Sequence, residues 1–278
     1  NALKELDSQA NILFVGALGR MEMERVPQAG YRMVGLPVQG FNRKQPWKNV
    51  RIVINMLRSM RMVKGIIRDF RPDVGIGVGG YASAPVLWSA SRKKIPCLIQ
   101  EQNSYAGLTN RKLAGRVEKI CVAYDGMDKF FPAGKILFTG NPIRNTLLEC
   151  DATPQEARES FGLDPDKRPV LVVGGSLGAS SINNMLLNHI DTFADHGIQI
   201  VWQTGRWMYE QVRDAVARRG VEKWVKVHQF ITRMDMAYTA ADVVMSRAGA
   251  IAISELCIVG KPIILIPSPN VAEDHQTK

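Results

Sequence analysis

Residues 170–180, Val-Leu-Val-Val-Gly-Gly-Ser-Leu-Gly-Ala-Ser, run four apolar β-formers directly into a loop of small residues that opens a helix. Such a turn aims unpaired helix N–H groups, and the positive end of the helix dipole, at whatever lies over Ser176. Its glycines let an anion approach the backbone closely. Two further stretches repeat the plan. Between Asp73 and Ser83 a strand runs into Gly77-Val78-Gly79-Gly80-Tyr81, and between Asp242 and Glu255 the strand Val243-Val244-Met245 ends in Ser246-Arg247-Ala248-Gly249-Ala250. Sterics alone can explain one glycine-rich turn. Three strand–loop–helix units make a phosphate-bearing ligand the leading expectation.

Outward from these units, apolar runs of about four to seven residues alternate with helical patterns, as in parallel sheets covered by helices. Strands are expected at 12–16, 33–38, 74–78, 97–100, 119–123 and 136–139, then at 170–173, 199–202, 225–228, 242–245 and 263–266. The polar stretch after Gly140-Asn141-Pro142-Ile143-Arg144 is the best boundary. The expected fold is α/β, with two doubly wound Rossmann-like domains, 1–143 and 144–278. Ligand is expected in a cleft where the carboxyl ends of the strands face each other.

Composition narrows the chemistry. The 278 residues are 46% hydrophobic, and no apolar run reaches the length of a membrane-spanning helix. Four scattered cysteines without CxxC spacing read as reduced core residues, and four dispersed histidines give no metal-ligand pattern, so no metal is expected. The net charge of +10 calls for an acidic partner. Nucleic acid is not expected, because no RNP-like motif, zinc finger or basic stripe interleaved with aromatics is present.

One helix, expected over 47–70, sets Arg51, Arg58, Arg61, Lys64 and Arg68 on one arc and Val53, Met56, Met60, Val63 and Ile67 on the opposite, packed arc. Val50, Ile54 and Leu57 fall among the cations. Apolar side chains mixed with bases suit an anionic membrane surface, with Val50, Arg51, Ile54, Leu57, Arg58 and Arg61 as the contact set. A solvated basic face with incidental aliphatics is the plain alternative.

Which phosphate ligand is a matter of spacing. Gly174-Gly175-Ser176-Leu177-Gly178-Ala179 lacks the GxGxxG spacing of a dinucleotide site, and the next strand ends in Gln203-Thr204-Gly205 without the acid that would hold a ribose. No Walker loop is present. Glu255, in the helix opened by Gly249, can accept hydrogen bonds from two adjacent ribose hydroxyls. It can equally be a carboxylate that complements the helix dipole. Gln100-Glu101-Gln102-Asn103 places carboxylate and amides at a strand's carboxyl end, where burial is costly without partners. A sugar-bearing ligand fits both sites.

These segments resemble the MurG family of peptidoglycan glycosyltransferases. The resemblance rests on residues 71–81, Glu101-Gln102-Asn103, Ala106-Gly107-Leu108-Thr109-Asn110, Gly140-Asn141-Pro142-Ile143-Arg144, residues 173–179, Arg247–Ala250 through Ser254-Glu255, and Asp274-His275-Gln276. It implies a GT-B fold and an inverting, metal-independent transfer of N-acetylglucosamine from UDP-N-acetylglucosamine to lipid I, at the cytoplasmic face of the bacterial inner membrane. It implies no cofactor. Donor contacts are then expected from Asn103, Arg144, Ser176, Ile231 (through its backbone, to uracil), Ala250, Ile251, Ala252, Ile253, Ser254, Glu255 and Gln276. Acceptor contacts are expected from Gly79, Gly80, Tyr81 and Asn110. Glu101 is the candidate general base, since the family's His belongs to a glycine-rich loop not found in this sequence. Leu177, Ala252 and Gln100 depart from the family's frequent Gln, Thr and His. A UDP-sugar 2-epimerase of the same architecture is the rival reading. The opening helix-like turns of Asn1–Leu6 and the closing Glu273–Lys278 lead us to expect a chain cut at both ends and without turnover alone.

Overall fold

The computed structural model describes residues 2–40, 49–175, 177–268 and 276, and the side chains of 49–51 lie outside the description. Two compact units divide the chain between Gly140 and Asn141, three residues before the expected junction. All eleven expected strands are present, each within two residues of its expected ends.

In the first unit, α1 (Ala2–Leu6), β1 (Leu13–Ala17), α2 (Glu22–Gln28) and β2 (Arg32–Leu36) lead into the long α3 (Asn49–Phe70). There follow β3 (Gly75–Gly77), α4 (Gly80–Arg92), β4 (Cys97–Glu101), α5 (Leu108–Leu113), β5 (Lys119–Val122) and β6 (Ile136–Phe138). Every strand pair is parallel, but the strands form two sheets, β1-β2 and β3-β4-β5-β6. One core joins them, in which Leu36, Val63, Leu87, Ile99 and Ile120 are almost wholly excluded from water.

The helix α3 corrects one expectation. Its buried line is Ile52, Ser59, Val63 and Ile67, while Val53 is 51% exposed rather than packed. Ser59 can occupy the packed face because its hydroxyl donates to the Asn55 carbonyl at 2.7 Å, so no polar group is stranded. Ile54 and Leu57 stand exposed among exposed Arg58, Arg61 and Lys64, as expected. The side chains of Val50 and Arg51 lie outside the described residues.

The second unit carries α6 (Pro154–Ser160), β7 (Pro169–Val173), α7 (Ser180–Asp195), β8 (Gln199–Gln203), α8 (Tyr209–Arg219), β9 (Val225–His228), α9 (Met234–Ala240), β10 (Val243–Arg247), α10 (Ala250–Val259) and β11 (Ile263–Ile266). Thr153 caps α6 with a complete capping box to Glu156. The five strands are parallel in the order β11-β10-β7-β8-β9. The order reverses between β7 and β10, the switch point at whose carboxyl end open α/β sheets bind ligands. Both flanks of the sheet are packed: Leu186, Ile190, Ile200 and Trp202 on one, Leu171, Val244 and Leu256 on the other.

Candidate functional site

The loops that follow β7 and β10 lie at that switch point. Residues 174–179 lead into α7, and Gly249 caps α10 in an extended conformation. Arg247 ties the two loops together: its guanidinium donates to Ser181 Oγ at the start of α7, and to the carbonyls of Ile266 and Pro267 at the end of β11. Ser176 lies outside the described residues. Ala250, Ile251, Ala252, Ile253 and Ser254 are half-buried along the first turns of α10. The first turns of α10 thus offer helix N–H groups beside alanine, isoleucine and serine side chains.

Two expected donor residues meet directly. Arg144 Nε lies 3.1 Å from Glu255 Oε1, the arginine half-exposed and the glutamate buried. The other carboxylate oxygen accepts from the Tyr238 hydroxyl at 3.4 Å. Burial, and then the Glu255 carboxylate, push the Tyr238 phenol up, so it stays protonated and donates. Oε1 has no well-aligned hydrogen bond despite its nearby cation. A buried carboxylate paired by distance but short of a donor is suited to a hydroxyl-bearing ligand. Asn141 fixes the segment carrying Arg144, its Nδ2 donating to Ser254 Oγ at 3.1 Å. Tyr238 was not singled out in the sequence, and Asn141 was quoted only within Gly140–Arg144, as a boundary and as part of the family resemblance.

Ile231 has its side chain in the core. Its backbone N–H is committed to Gln203 Oε1 at 2.8 Å, which leaves its carbonyl for any ligand unless Gln203 moves. Gln276 Oε1 accepts from Ser268 N–H at 2.7 Å, beyond the end of β11.

In the first unit, Glu101 ends β4 and is 3% exposed. Asn103 donates to its Oε1 through the backbone N–H at 3.1 Å and through Nδ2 at 3.2 Å. Its Oε2 accepts from Gly107 N–H at 3.0 Å and from Asn110 Nδ2 at 2.9 Å. Four donors thus occupy the two oxygens expected to take a proton, the pattern of an anchor. Asn103 and Asn110, expected at the donor and acceptor, are gathered on this carboxylate. Asn110 also lies beside Gly79, the residue that caps α4, where an added Cβ would stand 4.0 Å from its Nδ2. Gly80 opens α4, and Tyr81 is 47% exposed with its hydroxyl against Gly40.

Among the described residues, no group of three or more His, Cys, Asp or Glu side chains is placed to hold a metal ion, and no helix is long and apolar enough to cross a membrane.

Comparison with known proteins gives a consistent result. Residues 1–122 match the glycosyltransferase family 28 N-terminal domain, and residues 169–278 match the family's C-terminal domain. The whole chain is 54% identical to 75% of a Parabacteroides distasonis protein named UDP-N-acetylglucosamine–N-acetylmuramyl-(pentapeptide) pyrophosphoryl-undecaprenol N-acetylglucosamine transferase. Among solved structures, Acinetobacter baumannii MurG superposes with a TM-score of 0.69 at 25% identity, covering 99% of this chain and 75% of that one. A Neisseria meningitidis UDP-GlcNAc 2-epimerase, bound to UDP-GlcNAc, reaches 0.59 at 14% identity over 91% of this chain and 81% of its own. That likeness is one of fold alone.

Proposed function

This chain belongs to glycosyltransferase family 28, and from that premise we propose that it moves N-acetylglucosamine from UDP-N-acetylglucosamine to lipid I, forming lipid II. The observation that carries the reading to these residues is the Arg144–Glu255 pair beside the first turns of α10. It sets a cation suited to a diphosphate next to a carboxylate suited to ribose hydroxyls.

In the proposed reaction the acceptor hydroxyl attacks the anomeric carbon and gives up its proton to water, the carbon–oxygen bond to the diphosphate breaks, and UDP departs with its electron pair. The N–H groups at the head of α10, the loop 174–179 and Arg144 stabilise the charge that develops on UDP, so no divalent cation is required. Glu255 holds the ribose, and the Ile231 carbonyl reads the uracil. Ser176 and Gln276 complete the donor set of the second unit, while Gly79, Gly80, Tyr81 and Asn110 of the first unit serve the acceptor. Glu101 is better suited to holding Asn103 and Asn110 in place than to removing a proton, because protonation would disrupt bonds from Asn103, Gly107 or Asn110.

Exposed Val53, Ile54 and Leu57 among the bases of α3 support docking on an anionic membrane surface. Leu57→Glu should then weaken sedimentation with anionic vesicles, and sedimentation equal to wild type would remove Leu57 from the contact.

The deciding experiment follows labelled N-acetylglucosamine from the UDP donor to a lipid I analogue, with UDP release measured alongside. Transfer and UDP release in equal amounts, both dependent on acceptor, are expected. Conversion of the UDP-sugar to its 2-epimer without acceptor would transfer the assignment to the rival. Donor binding with neither reaction would mark a binding module.

A further inference from the structure

Gln203 is the last residue of β8, the strand between β7 and β9, and it is 3% exposed. In register it lies beside Val173 on one side and His228 on the other. Its side chain reaches past both neighbours. Nε2 donates to the Gly175 carbonyl in the loop after β7 at 3.1 Å, and Oε1 accepts the Ile231 N–H after β9 at 2.8 Å. Only one orientation of the amide satisfies both bonds.

The backbone around it is equally constrained. A Cβ on Gly178 would lie 1.9 Å from the Thr204 carbonyl oxygen, and one on Gly205 would lie 2.3 Å from that of Leu177. Both glycines have positive φ, so no other residue fits either place without moving the backbone. Thr204 in turn donates through N–H to the His228 carbonyl at 3.0 Å, and its own carbonyl accepts from Asn183 Nδ2 at 2.9 Å. Trp202 Nε1 fixes Asn183 at 3.0 Å. The loop after β8 is thus wedged between the loops on either side.

We propose that Gln203 is a positioning residue that sets the distance between the diphosphate loop and the base-reading peptide. This rests on the donor reading above. A ligand that engages both loops at once, a uridine diphosphate, gains from the fixed distance; a nucleoside alone does not.

Uridine and UDP are titrated into the full chain by calorimetry, for wild type, Gln203→Glu and Gln203→Met. The glutamate keeps an acceptor for Ile231 N–H but faces the Gly175 carbonyl with an oxygen, so it breaks one half of the bridge. The methionine breaks both. Each variant should bind UDP about tenfold more weakly, with uridine affinity within about twofold of wild type. Unchanged UDP affinity in both variants would overturn the proposal. An equal loss for uridine and UDP would also overturn it, since Gln203 would then serve the base pocket alone. If the methionine variant fails to fold, the neutral Gln203→Asn, too short to span both loops, decides, since the charge of a glutamate would itself repel a diphosphate. Failure of the wild-type chain to bind UDP would instead remove the donor reading, and the bridge with it.

Discussion

Glu101 and Glu255 are both buried glutamates, each 3% exposed, yet their surroundings differ in kind. All of the donors recorded for Glu101 lie within the next nine residues of its own chain and are uncharged amides, and they occupy both oxygens. Glu255 draws on distant segments, a half-exposed cation from Arg144 and a phenol from Tyr238, and one of its oxygens lacks an aligned bond. The first is a completed piece of architecture. The second is a paired charge with one oxygen short of an aligned donor, the feature on which the proposed ribose contact rests. A buried carboxylate that the fold leaves partly unsatisfied is therefore the better candidate for a ligand contact.

The largest effect should come from breaking the first site. Glu101→Ala strands the Gly107 N–H and the Asn110 amide, and should cost about 3 kcal/mol of stability. A lowered urea midpoint with unchanged slope would show it; a stability equal to wild type would contradict the anchor role. Next is Glu255→Gln, expected to lower kcat/KM for the donor about 30-fold, equivalent to about 2 kcal/mol, with stability within about 1 kcal/mol of wild type. A loss in stability matching that of Glu101→Ala would erase the distinction between the two glutamates. Tyr238→Phe should cost about 1 kcal/mol, because it removes a neutral donor from a buried carboxylate. Donor KM measured on the same variant shows how far Glu255 depends on that phenol for its orientation.

The smallest effect is one of pH, and it belongs to the unit that holds Glu255. Burial pushes His228 below its ordinary range, and its Nε2 is buried without a partner. The unfolded chain then takes up a proton that the folded state refuses, so this contribution to stability is present above about pH 6.5 and is lost as pH falls below it. Replacing His228 with Phe should flatten the fall in stability between pH 7 and pH 5. A slope identical to wild type would show that the imidazole is not the group that titrates.

Much of the fold was legible because buried parallel strands are nearly continuous apolar runs, and Val170–Val173 or Ile263–Ile266 can hardly be read otherwise. The strand–loop–helix units were legible from their small residues. Pairing was not: nothing local in Leu13–Ala17 or Gly75–Gly77 shows that they belong to separate sheets. The packed face of α3 was misread at Val53 because a serine, closed on its own backbone, sits in the buried line at Ser59. Residue type brought out Glu101 and Glu255 alike. Only the donors around them tell them apart, and donors recruited from Arg144, 111 positions away, and from Tyr238, 17 positions away, leave no mark in local spacing. Gln203 went unread as a positive signal for the same reason: its two partners are both 28 residues distant, in opposite directions.

Titrating UDP-N-acetylglucosamine into Glu101→Gln and Glu255→Gln, side by side with wild type, tests the contrast most directly. The account predicts about 30-fold weaker binding by Glu255→Gln, and binding within about threefold of wild type by folded Glu101→Gln. Wild-type affinity in Glu255→Gln, or an equal loss in both variants, would contradict it.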